Sequence, residues 1–310
     1  MKELELYNRN EIAATYSGDL VERWISFVDA KPKTIQTYTR AIRQFVLWIN
    51  EHEIRQPQRA DIIAFRDDLE GSHKATTVNA YLMAVKQFFK WTEQEGLYPN
   101  ITVNVKALRI QAGFKKDYLT AKQVKKLLEG INRESLQGLR DYAILSLMAT
   151  TGLRTVEVSR ANIGDLRTVA DFTALYVQGK GRNEKTEYVR VPEQVQSAIG
   201  EYLRARGTED EDAPLFSSIA NRNDGERMTT RSISRIAKLH LGEANLISSR
   251  LTAHSLRHTA ATLNLLNGGT IEETKQMLRH SRIDTTLIYS HALERAKNKS
   301  EVRVAKAIFG

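Results

Sequence analysis

Apolar residues recur at helical spacing through the first third of the chain. Leu20, Trp24, Ile25 and Val28 mark one segment, and Ile35, Tyr38, Ile42, Phe45 and Ile49 lie along one face of a second, near residues 34–51. A short third segment falls near 60–70, and Val78, Tyr81, Leu82, Val85, Phe88 and Phe89 align on a fourth near 75–95. All three tryptophans lie in this region. Each segment has one apolar stripe, and four such stripes can close on a common core, so residues 18–100 are expected to form a compact four-helix bundle. Tyr98-Pro99-Asn100 stops the fourth helix. Residues 101–117 keep no period and carry Lys106, Arg109, Lys115 and Lys116, which predicts an interdomain linker lying near phosphate.

A different pattern follows, and residues 118–310 are expected to form a second domain. It opens with helices near 121–130 and 136–150, the latter broken at Thr151-Gly152. Residues 174–179 and 185–191 alternate like strands around a turn holding Gly179, Gly181 and Asn183, which predicts an antiparallel hairpin closed by Pro192. Helices are expected near 193–206, 229–241, 253–267, 270–279 and 294–308. The fold class is therefore mainly α: a helical bundle, then a mostly helical domain with a small antiparallel sheet. Residues 1–17 are expected to form an extension before the bundle.

No apolar run approaches the roughly 18 residues of a membrane span, and the first residues lack the apolar core of a secretory signal. The cytoplasm is the expected location. With no cysteine, disulfides and thiolate chemistry are excluded. The formal charge of +9 is unevenly placed: residues 231–310 hold thirteen Lys/Arg against six Asp/Glu. Such a basic quarter fits a polyanionic partner.

Four of the seven histidines, His254, His258, His280 and His291, crowd into a 38-residue stretch of this quarter. A metal site is a poor reading of them, because the ligand set has no cysteine, no His-Glu-x-x-His and few carboxylates. Their neighbours are arginines, which suit an oxyanion. His254 and Arg257 stand three apart and share a helix face, with Thr252 as a candidate cap. Arg154 follows the glycine that ends the apolar helix AILSLMATTG. Glu157 could be its ion-pair partner, or Arg154 could belong to a ligand clamp, and these residues alone leave both open. Tyr289 lies nine residues after His280, with Ile283, Leu287 and Ile288 expected to supply the local packing.

Arg154 in TGLRTVE, Lys180 in QGKGRNEK, His254-Ser-Leu-Arg257-His, His280 and Tyr289 stand in an order and spacing that resembles the tyrosine recombinase family, also called the phage integrase family. The resemblance runs from about Gly18 to the end, and the four N-terminal helices resemble that family's SAM-like core-binding domain. It implies a site-specific recombinase that cuts and rejoins DNA through a 3′-phosphotyrosine on Tyr289, without nucleotide, metal or other cofactor. Arg154 and Arg257 would grip the scissile phosphate, with His254 and His280 adding hydrogen bonds. His254 is also a candidate acceptor for the tyrosine proton, and Lys180 would be the general acid, with Lys185 as the alternative. Glu157 would orient the clamp. The resemblance implies double-stranded DNA with an inverted-repeat core site as partner, one dimer per site and a tetramer in the synapse. It also implies that the C-terminal segment docks into a neighbouring subunit.

Only 17 residues precede the bundle, too few for the arm-site domain of larger integrases, which suggests a simple two-domain enzyme. Lys33, Arg40, Lys86 and Lys90 in the bundle, and Arg231 and Arg235 beyond, are candidate DNA-facing residues. The chain departs from the family at Arg279, where glycine is common before the second histidine. Two rival readings are a DNA-binding protein without catalysis and a type IB topoisomerase. Every expected catalytic residue type is present, which disfavours the first, and the small helical N-terminal domain disfavours the second.

Overall fold

The computed structural model describes residues 18–110, 117–179 and 182–310, except for the side chains of Gly18, 290–293 and 295–297. The chain divides into two compact units with the boundary between Gly113 and Phe114.

The first unit contains α1 (Gly18–Phe27), α2 (Pro32–Glu51), α3 (Arg59–Ser72) and α4 (Ala75–Gln94). Pro32 occupies the first turn of α2, where its missing N–H costs nothing. The carboxylate of Asp61 accepts the Gln58 N–H at 2.7 Å and starts α3. The four stripes meet in a core of fully buried Trp24, Ile42, Phe45, Ile49, Phe65, Phe88 and Phe89. Its rings pack edge to face, Phe45 on Phe65 at 5.1 Å and Trp24 on Phe88 at 5.6 Å between centroids.

The stretch after α4 is not loose. Tyr98 donates to the Pro57 carbonyl at 2.7 Å, and Arg66 to the Lys106 carbonyl at 3.1 Å. The Asn79 amide both donates to and accepts from the Leu108 backbone, at 2.9 and 2.8 Å. Val105 is buried. Side-chain hydrogen bonds thus strap the first part of the aperiodic stretch onto the helices. Such bonds leave no hydrophobic period, so the sequence pattern carries no sign of them.

The second unit begins with α5 (Ala121–Glu129), capped reciprocally by Thr120 and Gln123. It continues with α6 (Leu136–Thr151), α7 (Thr155–Arg160), β1 (Leu166–Val169), β2 (Phe172–Val177) and β3 (Glu187–Arg190). There follow α8 (Glu193–Arg206), α9 (Thr230–Glu243), α10 (Ala253–Leu266), α11 (Ile271–Leu278), α12 (Asp284–Lys297) and α13 (Ser300–Phe309). Helix α6 is apolar nearly all round because α8, α10 and α5 pack against it.

The strands form one antiparallel sheet in the order β1-β2-β3, with Leu175 opposite both Leu166 and Val189. The expected hairpin is β2-β3. Three elements depart from the sequence reading. Strand β1 is too short, at four residues, to show alternation. Helix α7 has six residues and no sustained stripe. The single helix expected near 294–308 is two, because α12 extends to Lys297 and the chain breaks before Ser300. No residue of α13 is buried, and Val302, Ile308 and Phe309 are 65%, 66% and 84% exposed.

Candidate active site

The site lies in the second unit and begins where α6 ends. Gly152 adopts a left-handed conformation, φ 65°, and donates its N–H to the Met148 carbonyl at 3.1 Å. A Cβ here would stand 2.6 Å from the Leu278 side chain, so both the backbone angle and the close approach require glycine. The turn delivers Arg154 to the N-terminus of α7. Its N–H donates to Glu157 Oε2 at 2.7 Å and its guanidinium to Oε1 at 2.9 Å. Glu157 is wholly buried.

Arg257 projects from α10 and is 1% exposed. It donates to the Gly152 and Leu278 carbonyls, each at 2.6 Å, and so joins the end of α6 to the end of α11. Burial, followed by the nearby Arg154 charge, lowers its pKa to about 9.

Arg279 follows α11 with φ 55° and ψ 47°, a left-handed position that costs a non-glycine residue about 1 kcal/mol. Its buried side chain donates to the Met277 carbonyl at 2.9 Å and to Glu157 Oε2 at 2.8 Å. Glu157 therefore bridges two arginines. The next residue, His280, is half-buried with Nδ1 2.8 Å from Thr286 Oγ1. Burial first, then the charges of Arg257, Arg154 and Arg279, push its pKa down to about 4. It is neutral at pH 7 and serves as a hydrogen-bonding group rather than a cation.

His254 is exposed on the first turn of α10, with its ring 4.8 Å from that of His258. The His258 ring in turn lies 5.3 Å from the ring of Tyr289. Tyr289 is 2% exposed and packs with Ala261, Leu265 and Leu278. Burial raises its pKa, against the opposing pull of Arg257 and Arg154. The expected local packing is reversed: Ile283, Leu287 and Ile288 are each more than 40% exposed, whereas Thr286 and Tyr289 are buried. These two stand three residues apart on one face of α12, and that face meets α10.

The structure thus brings Arg154, Glu157, His254, Arg257, His280 and Tyr289 together from separated segments. Lys180 lies outside the described residues. Lys185, the alternative acid, is held by Asp165 at 2.5 Å. A cavity of about 270 Å³ opens beside the cluster, lined by Arg154, Thr155, Ser234, Thr252 and His254 among others. Of the candidate DNA-facing residues, Lys33, Arg40, Lys90, Arg231 and Arg235 are exposed. Lys86 is not free, since it donates to the Val105 carbonyl at 2.5 Å.

Two members of the site were given no role in the sequence reading. His258 had a signal in its spacing, one helical turn beyond His254. Arg279 had a signal only as a departure from glycine. Three guanidiniums gather around the buried Glu157, with Glu187 also acting on Arg279, and the remaining positive charge suits an anion. Donors held in place around an anion of this kind suit a phosphoryl group that gains charge as it reacts. Among the described residues, no group of three or more His, Cys, Asp or Glu is placed to hold a metal ion.

Residues 117–295 match the model of the phage integrase family, and residues 20–97 match that of the family's N-terminal SAM-like domain. The chain belongs to the phage integrase family. It is 31% identical over 268 residues to tyrosine recombinase XerC of Herpetosiphon aurantiacus, a match covering 83% of this chain and 84% of that one. It is 26% identical over 291 residues to a tyrosine recombinase of Synechococcus elongatus, covering 89% and 90%. Among solved structures, XerH recombinase in a post-cleavage complex with a palindromic difH substrate is similar, with a TM-score of 0.73 over 96% of this chain and 90% of that one. At 19% identity this likeness speaks for the fold. The chain is a tyrosine recombinase, of a family of enzymes that cleave and rejoin DNA. No helix among the described residues is long and apolar enough to cross a membrane.

Proposed function

We propose that Tyr289 is the nucleophile of site-specific strand exchange and that Arg154, Arg257, His254 and His280 form the phosphate site it attacks. The observation that carries this reading is the placement of the tyrosine ring against His258, which touches His254, beneath a cluster of arginines in charge excess. The tyrosine oxygen bonds to phosphorus, its proton passing to His254, and the bond to the 5′-oxygen breaks. Lys180 protonates that oxygen, leaving a 3′-phosphotyrosine and a free 5′-hydroxyl. Rejoining reverses these steps, because the phosphodiester bond energy is kept in the covalent link. Arg154 and Arg257 stabilise the five-coordinate transition state, and Glu157 orients Arg154.

The substrate is double-stranded DNA with an inverted-repeat core, bound by one dimer per site and a tetramer in the synapse. The palindromic substrate of the XerH complex supports the two-fold arrangement. The exposed apolar residues of α13 support docking into a neighbouring copy, since a ten-residue helix alone is marginal in water. Exposed Lys33, Arg40, Lys90, Arg231 and Arg235 are assigned to DNA contact, and the reaction is assigned to the cytoplasm.

The test is Tyr289→Phe on a nicked suicide substrate. Binding is expected within about twofold of the parent, with no denaturant-resistant protein–DNA band. A persisting band would mean that another residue attacks.

A further inference from the structure

We infer that Arg279 is a positioning residue for strand cleavage: it takes up the charge of Glu157 from the sealed side of the site, so that Arg154 keeps its own charge for the scissile phosphate. The inference rests on the assignment of Arg154 and Arg257 as the phosphate clamp and goes beyond it.

The geometry separates the two arginines that share Glu157. The carboxylate is wholly buried and both its oxygens are engaged, Oε1 by the Arg154 guanidinium and Oε2 by the Arg154 N–H together with Arg279. The Arg154 side chain is 28% exposed, that of Arg279 only 5%. One guanidinium is open to an incoming substrate and the other is closed off against the acid. Without Arg279, the Arg154 guanidinium would be left to hydrogen-bond Glu157 alone, and more of its charge would be spent inside the protein.

Charge counting points the same way. Removing Arg279 takes one positive charge from the cluster, while the carboxylates that act on it, Glu157 and Glu187, remain. A phosphodiester carries one negative charge in its ground state and two in the five-coordinate transition state. The site with Arg279 therefore favours the more highly charged transition state by one positive charge more than a site with glycine at 279 would. A difference of this kind appears in the rate of cleavage rather than in the affinity for DNA.

The backbone adds an independent argument. Arg279 stands in the left-handed region, φ 55°, where glycine is at ease and arginine is not. Its backbone gains nothing from the arginine, so the gain must come from the side chain, and the side chain reaches Glu157 and the Met277 carbonyl.

The experiment uses the full chain and single-turnover cleavage of a nicked suicide substrate at saturating DNA, with affinity measured by fluorescence anisotropy. Arg279→Gly and Arg279→Gln are expected to cleave at least tenfold more slowly with affinity within threefold, while Arg279→Lys recovers most of the rate. Adding Glu157→Gln to Arg279→Gly is expected to restore cleavage, because the unpaired carboxylate is gone. A packing role would not show that suppression. Cleavage by Arg279→Gln within twofold of the parent, or a double variant no faster than Arg279→Gly, would overturn the inference. Arg257→Lys, run alongside, separates the two readings. If it cleaves like the parent, the clamp assignment falls as well. If it is inactive while the Arg279 variants are unimpaired, only the present inference falls.

Discussion

Near the start of α6, Arg140 and Asp141 meet His240 and Glu243 of α9; just past its end, Arg154, Arg257 and Arg279 meet Glu157. The first network is closed. Arg140 donates twice to Asp141 Oδ1, at 2.9 and 2.8 Å, and once to the Ser217 carbonyl. Asp141 Oδ2 lies 3.2 Å from His240, whose other ring nitrogen lies 2.7 Å from Glu243. With the histidine protonated, two cations face two anions. The second network sets three arginines around Glu157, with Glu187 also acting on Arg279, so the cations remain in excess. The histidines register the difference. The hydrogen bond that His240 donates to Asp141 is the main cause raising its pKa, with Glu243 adding to it and burial opposing it. His280, buried among arginines, is pushed down to about 4. A balanced buried network fixes the fold, whereas an unbalanced one costs stability until an anion completes it.

The comparison can be broken most severely at Arg257. Lysine there keeps the charge but loses the planar fork that spans the Gly152 and Leu278 carbonyls. Cleavage is expected to fall by about 10²- to 10³-fold, read as covalent adduct on a nicked substrate. The lost charged hydrogen bonds should also cost about 1–3 kcal/mol in urea unfolding. A cleavage loss under tenfold would show that the excess charge is not there for phosphate.

Asp141→Asn tests the closed network. Removing one partner of a buried pair is expected to cost about 3–5 kcal/mol in urea unfolding, with cleavage per folded molecule unchanged. If activity falls while stability holds, the division of labour between the two networks is wrong.

The smallest effect is at His240. Its folded-state pKa is raised, so its contribution to stability is full below the unfolded value of 6.5 and is lost as pH rises through the folded value. The gap in urea midpoint between the parent and His240→Asn is expected to shrink as pH is raised from 6.5 to 8.5. A gap that stays constant would mean that the ring acts by packing alone.

Much of the fold was legible because helices leave a period in the chain. The four bundle stripes, the two strands around the Gly179 turn and the helix carrying His254 and Arg257 all follow from local spacing. Strand β1 and helix α7 are too short to leave such a period. The packing face of α12 escaped for another reason: Ile283, Leu287 and Ile288 were expected to supply the packing, yet the helix packs through Thr286 and Tyr289. The partner helix decides which face is inside, and a weak stripe does not announce it.

By itself the sequence determined the two-part helical architecture, the basic C-terminal quarter, and the identity and chain order of Arg154, His254, Arg257, His280 and Tyr289. Residue type and spacing within single elements suffice for these. Tertiary structure alone decided that Arg257 bonds to the backbone 105 residues before it, that Arg279 shares Glu157 across 122 residues, and that Tyr289 lies against His258. Contacts over such separations depend on how whole helices pack, and packing is a property of the assembled chain that no local period records.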